Sequence, residues 1–112
     1  MTPLEAVEKQ VEAYNSRNID EFVACHDEQV ELFSLGEKDP FCVGASAVRT
    51  RYSAVFENSP NLHTNVVNRI SCGHTIIDHE IVTGRVGEPP IEMVAIYEVE
   101  NGLIKKAYFR RK

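Results

Sequence analysis

Apolar residues near the start of the chain recur at helical spacing. Leu4, Val7, Val11 and Tyr14 fall on one stripe, with Glu5, Glu8, Lys9 and Glu12 on the wet side. Thr2 can cap this helix and Pro3 suits its first turn. "NSRN" breaks the pattern, and "IDEFVACH" predicts a second, short helix with Asp20 near its start and Phe22 and Cys25 facing in. The period then changes. "QVELFSL" alternates as a strand, "GEKDP" turns it, and "FCVG" leads out. A third helix is predicted over 46–57, with Val48, Tyr52, Val55 and Phe56 on one stripe and "ENSPN" as its stop. Strands follow over 62–71, 75–86, 91–100 and 103–110. They are punctuated by Cys72-Gly73-His74, "GEPP" and the hairpin signal Asn101-Gly102.

Helices followed by a strand meander predict a single α+β domain over residues 1–112, with the helices covering one face of a curved antiparallel sheet. The strand "IEMVAIYEV" describes the other face. One side carries Ile91, Met93, Ala95, Tyr97 and Val99; the opposite side carries Glu92, Val94, Ile96 and Glu98, apolar in the centre and charged at the rim. An open sheet face has no need of Val94 beside Ile96. The pattern therefore predicts a homodimer through the face that carries them.

The strand "TIIDHEIVTGRV" is less orderly. On hydrophobicity alone Ile77, His79 and Ile81 would face the core and Asp78 and Glu80 would face solvent.

Charge narrows the partners. The 112 residues carry a formal net charge of −5, which argues against nucleic acid or an anionic membrane surface as a partner. The one basic cluster, "KKAYFRRK", reads as a solvated strand end. Cys25, Cys42 and Cys72 are odd in number and lack a CxxC, so neither a disulfide framework nor a metal knuckle is expected, and each reads as a buried, inert thiol. That usage fits a reducing cytosol. "MTPLEAVEKQ" lacks the basic start and apolar run of a signal peptide, and no apolar run reaches the length of a membrane span. There is no GxSxG, Walker loop, GxGxxG or HExxH, and no cofactor is implied.

Four stretches, "YNSRNIDEFVACHDEQVEL", the Gly44 that opens the third helix, "IVTG" at 81–84 and "VAIYEVENGLIKKAYF", together with the element order, resemble the nuclear transport factor 2-like superfamily. The likeness is nearest to its SnoaL-like and steroid-isomerase-like small bacterial proteins and spans essentially the whole chain. It implies a cone-shaped sheet wrapped around N-terminal helices, with an open pocket between them. It also reverses the faces of the strand "TIIDHEIVTGRV": Ile76, Asp78, Glu80, Val82 and Gly84 would face the pocket, and Ile77, His79, Ile81, Thr83 and Arg85 the dimer side.

The resemblance further implies what is missing. The slots of the ketosteroid isomerase base, tyrosine and second acid fall at Ser34, near Gln10 and at Ala95, none of which supplies the needed group. Two functional classes remain. One is a non-catalytic binding module whose apolar cavity is lined by Tyr14, His26, Ser34, Tyr52, Phe56, Met93 and Tyr97 and takes a small, largely apolar molecule. The other is an isomerase-, cyclase- or epoxide-hydrolase-like enzyme. In it Asp78 and Glu80 perform acid–base work, Arg69 on the neighbouring strand bridges them, and Tyr14 and Tyr97 position the ligand.

Overall fold

A computed structural model describes all 112 residues. Helix α1 runs Pro3–Asn15, α2 Ile19–Ala24 and α3 Ala45–Asn58. The strands are β1 His26–Ser34, β2 Cys42–Val43, β3 His63–Cys72, β4 Thr75–Thr83, β5 Ile91–Glu100 and β6 Leu103–Arg111. The sheet order is β2-β1-β6-β5-β4-β3. Every pairing is antiparallel except β1 with β6, which is parallel. The result is the expected α+β architecture, with helices packed on one face of a curved, unclosed sheet.

Local chemistry explains the helix ends. Thr2 and Glu5 form a reciprocal capping box ahead of Pro3, so two otherwise orphaned N–H groups are satisfied before the first turn closes. Asn18 caps α2 by accepting from Glu21 N–H. Helix α2 stops at Ala24 with Cys25 as its cap, so His26 opens β1 instead of closing a helix. The end of α1 is pinned to the sheet by Asn15, whose amide donates to Thr64 O at 3.0 Å and accepts from Thr64 N at 2.7 Å.

Aromatic side chains join the helices. Phe22 of α2 lies 4.7 Å from Tyr52 and 5.4 Å from Phe56 of α3, and Tyr14 of α1 meets Phe56 edge-on at 5.5 Å. Beneath them Val30, Leu32, Ile76, Ala95, Val99, Ile104 and Ala107 form the buried floor.

Strand β4 follows the face assignment implied by the resemblance. Ile76, Asp78, Glu80 and Val82 point inward and are buried, whereas Ile77, His79 and Ile81 lie outward and half exposed. Gly84 and Arg85 depart from that assignment. The strand ends at Thr83, and Gly84 (φ +77°) passes so close to Asn61 that a Cβ would overlap its carbonyl; it belongs to a backbone crossing, not to the pocket. The turn there swings Arg85 back to the cavity. Cys25 and Cys42 are buried as expected, but Cys72, the last residue of β3, is exposed.

Candidate functional site

Between helices and sheet lies a cavity of about 510 Å³, large enough for a small organic molecule. Tyr14, His26, Ser34, Tyr52, Met93 and Tyr97 line it. Phe56 does not: it sits behind Tyr14 and Tyr52 and fixes their rings by packing.

The two acids of β4 part company. Glu80 is the one carboxyl group on the cavity wall. Its Oε2 accepts a long hydrogen bond from Tyr97 Oη at 3.4 Å, and its side chain has no other partner in the protein. Burial, then the charge of Asp78, raise its pKa from 4.5 to about 7. Asp78 lies one step along the same face and is fully buried. Both its oxygens are held by Arg69, Nε to Oδ1 at 2.6 Å and Nη2 to Oδ2 at 2.8 Å. The expected bridge from Arg69 to both acids is therefore not formed. The guanidinium is spent on Asp78, and neither of them lines the cavity.

A bulge puts Arg69 beside Asp78. Val66 pairs with Glu80 but Asn68 pairs with His79, so Val67 is an extra residue in β3. Beyond it every side chain changes face, and Arg69 arrives inward, opposite Asp78.

His26 is buried, with Nδ1 2.8 Å from Phe22 O. That partner assigns the proton to Nδ1 and leaves Nε2 as an acceptor. Burial lowers the ring's pKa from 6.5 to about 4, so it is neutral at physiological pH. Burial likewise raises the Tyr14, Tyr52 and Tyr97 hydroxyls above the usual tyrosine value, which keeps them protonated donors.

Sequence reasoning missed two polar groups. Gln10 and Thr64 line the cavity and are more than nine-tenths buried, and neither Gln10 Oε1 nor Thr64 Oγ1 has a hydrogen-bond partner within the protein. Such orphans are uncommon in native proteins. A signal existed for Gln10, which falls three residues after Val7 on the buried face of α1. The cavity mouth was missed as well. Arg51, Arg85, Arg110 and Arg111 all border it, although "KKAYFRRK" read as a solvated end and Arg85 was expected on the dimer side.

Fold and site together define a small α+β cone with a partly polar internal pocket. Residues 7–107 match the family model for the SnoaL-like domain, and the chain belongs to that family. Solved structures share the fold. An uncharacterised cystatin-fold protein from Novosphingobium aromaticivorans is 24% identical, with 99% of each chain covered and a TM-score of 0.89. A SnoaL-like protein of unknown function from Burkholderia thailandensis is 14% identical, covering 98% of this chain and 93% of its own, at 0.80. An LEH-like epoxide hydrolase from M. tuberculosis is 13% identical, covering 98% and 82%, at 0.82. A search of the curated proteins finds no match.

Proposed function

We propose that this SnoaL-like domain binds a small, largely apolar organic molecule in its cone, with one polar atom of the ligand at Glu80. The observation that carries the reading is a cavity wall that is mostly apolar yet includes a carboxyl titrating near neutrality and two orphaned polar atoms. Hydrocarbon packing supplies affinity, and the few polar groups fix orientation. Gln10 Oε1 needs a donor and Thr64 Oγ1 can take either role, so a ligand hydroxyl satisfies what the protein leaves open.

A second reading, acid–base chemistry on the bound molecule, is favoured by one feature. Glu80, with a pKa of about 7, is poised to take or return a proton at neutral pH. In this reading the role expected of the pair falls to Glu80 alone, because Glu80 lines the cavity and Asp78 does not. Asp78 and Arg69 act on it through their charges, the first raising and the second lowering its pKa. Tyr97 holds one oxygen, and Tyr14 faces the same space.

2-Naphthol, apolar with a single hydroxyl, tests by titration calorimetry the feature both readings share, a Glu80 that meets the ligand and titrates near neutrality. Binding is expected to tighten severalfold between about pH 6 and 8, because a carboxylate accepts more strongly than a carboxylic acid. Glu80→Gln should bind weakly and without that pH dependence. Equal, pH-independent binding by both proteins would remove Glu80 from the site.

The homodimer is also proposed. On the outer face Ile70, Ile77, Ile96, Tyr108 and Phe33 stand in register across five strands, an apolar row suited to burial against a second copy. Ile96→Glu should yield monomers in sedimentation velocity. A wild type that is already monomeric at high concentration would end this proposal.

A further inference from the structure

We propose that the mouth of the cavity is an anion site, so that the ligand is a small organic acid: an apolar body inside the cone with a carboxylate or similar anion at the rim. This rests on the pocket reading above and names the ligand class for it.

The chain is acidic, with 17 Asp and Glu against 12 Lys and Arg, yet four of those 12 cations border one opening. They are placed but not neutralised. Arg51 sits 4.7 Å above the Phe41 ring and has no carboxylate partner. Arg110 donates to the backbone oxygen of Leu35 at 2.7 Å and likewise has none. Arg85 and Arg111 share a single carboxylate, Glu88, at 3.2 and 2.6 Å. Four guanidiniums therefore face one anion.

An aromatic ring and a backbone carbonyl hold Arg51 and Arg110 in position without using up their charge, leaving N–H groups free. A planar guanidinium matches a carboxylate, sulfonate or phosphate through paired hydrogen bonds. Low-dielectric walls around the opening focus that field on an entering anion. The single acid of the wall, Glu80, lies on β4 in the sheet floor. The pocket thus offers hydrogen-bonding groups within, an apolar middle and a cationic mouth.

Two fluorescent probes separate the claims. N-phenyl-1-naphthylamine is neutral; 8-anilinonaphthalene-1-sulfonate has the same rings with an anion attached. The sulfonate is expected to bind at least about tenfold more tightly, the worth of one charge-assisted contact. That advantage should shrink as salt is raised. Arg51→Gln combined with Arg110→Gln should abolish it while changing the neutral probe's affinity far less. Should that pair of changes impair folding, Arg51→Gln alone is expected to remove most of the advantage. Displacement by 1-naphthoate but not by naphthalene would extend the preference to carboxylates.

Equal binding of the two probes to wild type, or a sulfonate preference that survives loss of the arginines, overturns the anion site and leaves the apolar pocket standing. Absence of binding by either probe overturns the pocket reading and the anion site with it.

Discussion

Replacing Arg69 with Met is expected to destabilise the protein by roughly 3–5 kcal/mol, seen as a lower urea midpoint at unchanged slope. Asp78 is fully buried and accepts two short hydrogen bonds from this one side chain. Without Arg69 its charge has neither water nor partner. The reverse change should cost less, about 1–3 kcal/mol for Asp78→Asn. The reason is an asymmetry of burial: the Arg69 side chain is 21% exposed against 0% for Asp78, and it borders the open groove between α1 and β3. A freed guanidinium can be hydrated there; a freed carboxylate cannot. Arg69→Met combined with Asp78→Leu should recover much of the loss, since a buried ion pair is rarely better than well-packed hydrocarbon. A cost below about 1 kcal/mol for Arg69→Met would mean that water reaches Asp78 in solution.

The second large effect lies in the pH dependence, where two opposing contributions hide each other. The pKa of Glu80 rises from 4.5 to about 7 on folding. Between those values the folded state holds the proton that the unfolded state has lost. Its contribution to stability is therefore complete below pH 4.5 and disappears as pH rises through 7. His26 falls from 6.5 to about 4. Its contribution is complete above pH 6.5 and disappears as pH falls through 4. Each amounts to about 3 kcal/mol over its window.

From about pH 4.5 to 6.5 the two slopes are equal and opposite, so wild type should show little net dependence from this pair. Glu80→Gln unmasks His26: relative to wild type, its stability should climb with pH by up to about 1.4 kcal/mol per unit. His26→Gln unmasks Glu80, and its stability should decline over the same range. Urea unfolding at half-unit intervals of pH checks both. Profiles that run parallel for wild type and Glu80→Gln would show that Glu80 titrates alike in the folded and unfolded chains.

Most of the element order was legible because it is encoded locally. The stripe of α1, its Thr2–Glu5 box, the cap of α2 and the Asn101-Gly102 turn each need only a few adjacent residues. Errors cluster where distant segments meet. The "IDEFVACH" helix loses its last residues to β1, because Ile104 N–H donates to Cys25 O and His26 pairs with Ile104. "RVGEPP" leaves the sheet at Gly84 because the Asn61–Leu62 backbone lies against it.

The site divides along the same line. By itself the sequence determined which groups were available: an acid pair on one strand face, aromatic stripes on the helices, no metal or nucleophile motif, and a net negative charge. The tertiary structure decided how they are used. A single extra residue, Val67, turns Arg69 inward to claim Asp78 and leaves Glu80 alone in the cavity. The bend after Thr83 and the end of β6 bring Arg85, Arg110 and Arg111 to one opening. The physical reason is the two-residue period of a strand, in which one inserted residue reverses every later side chain. Whether a strand bulges or bends is settled by its partner strands and by the backbone packed against it, so neighbouring sequence could not reveal which face of the sheet Arg69 and Arg85 would serve.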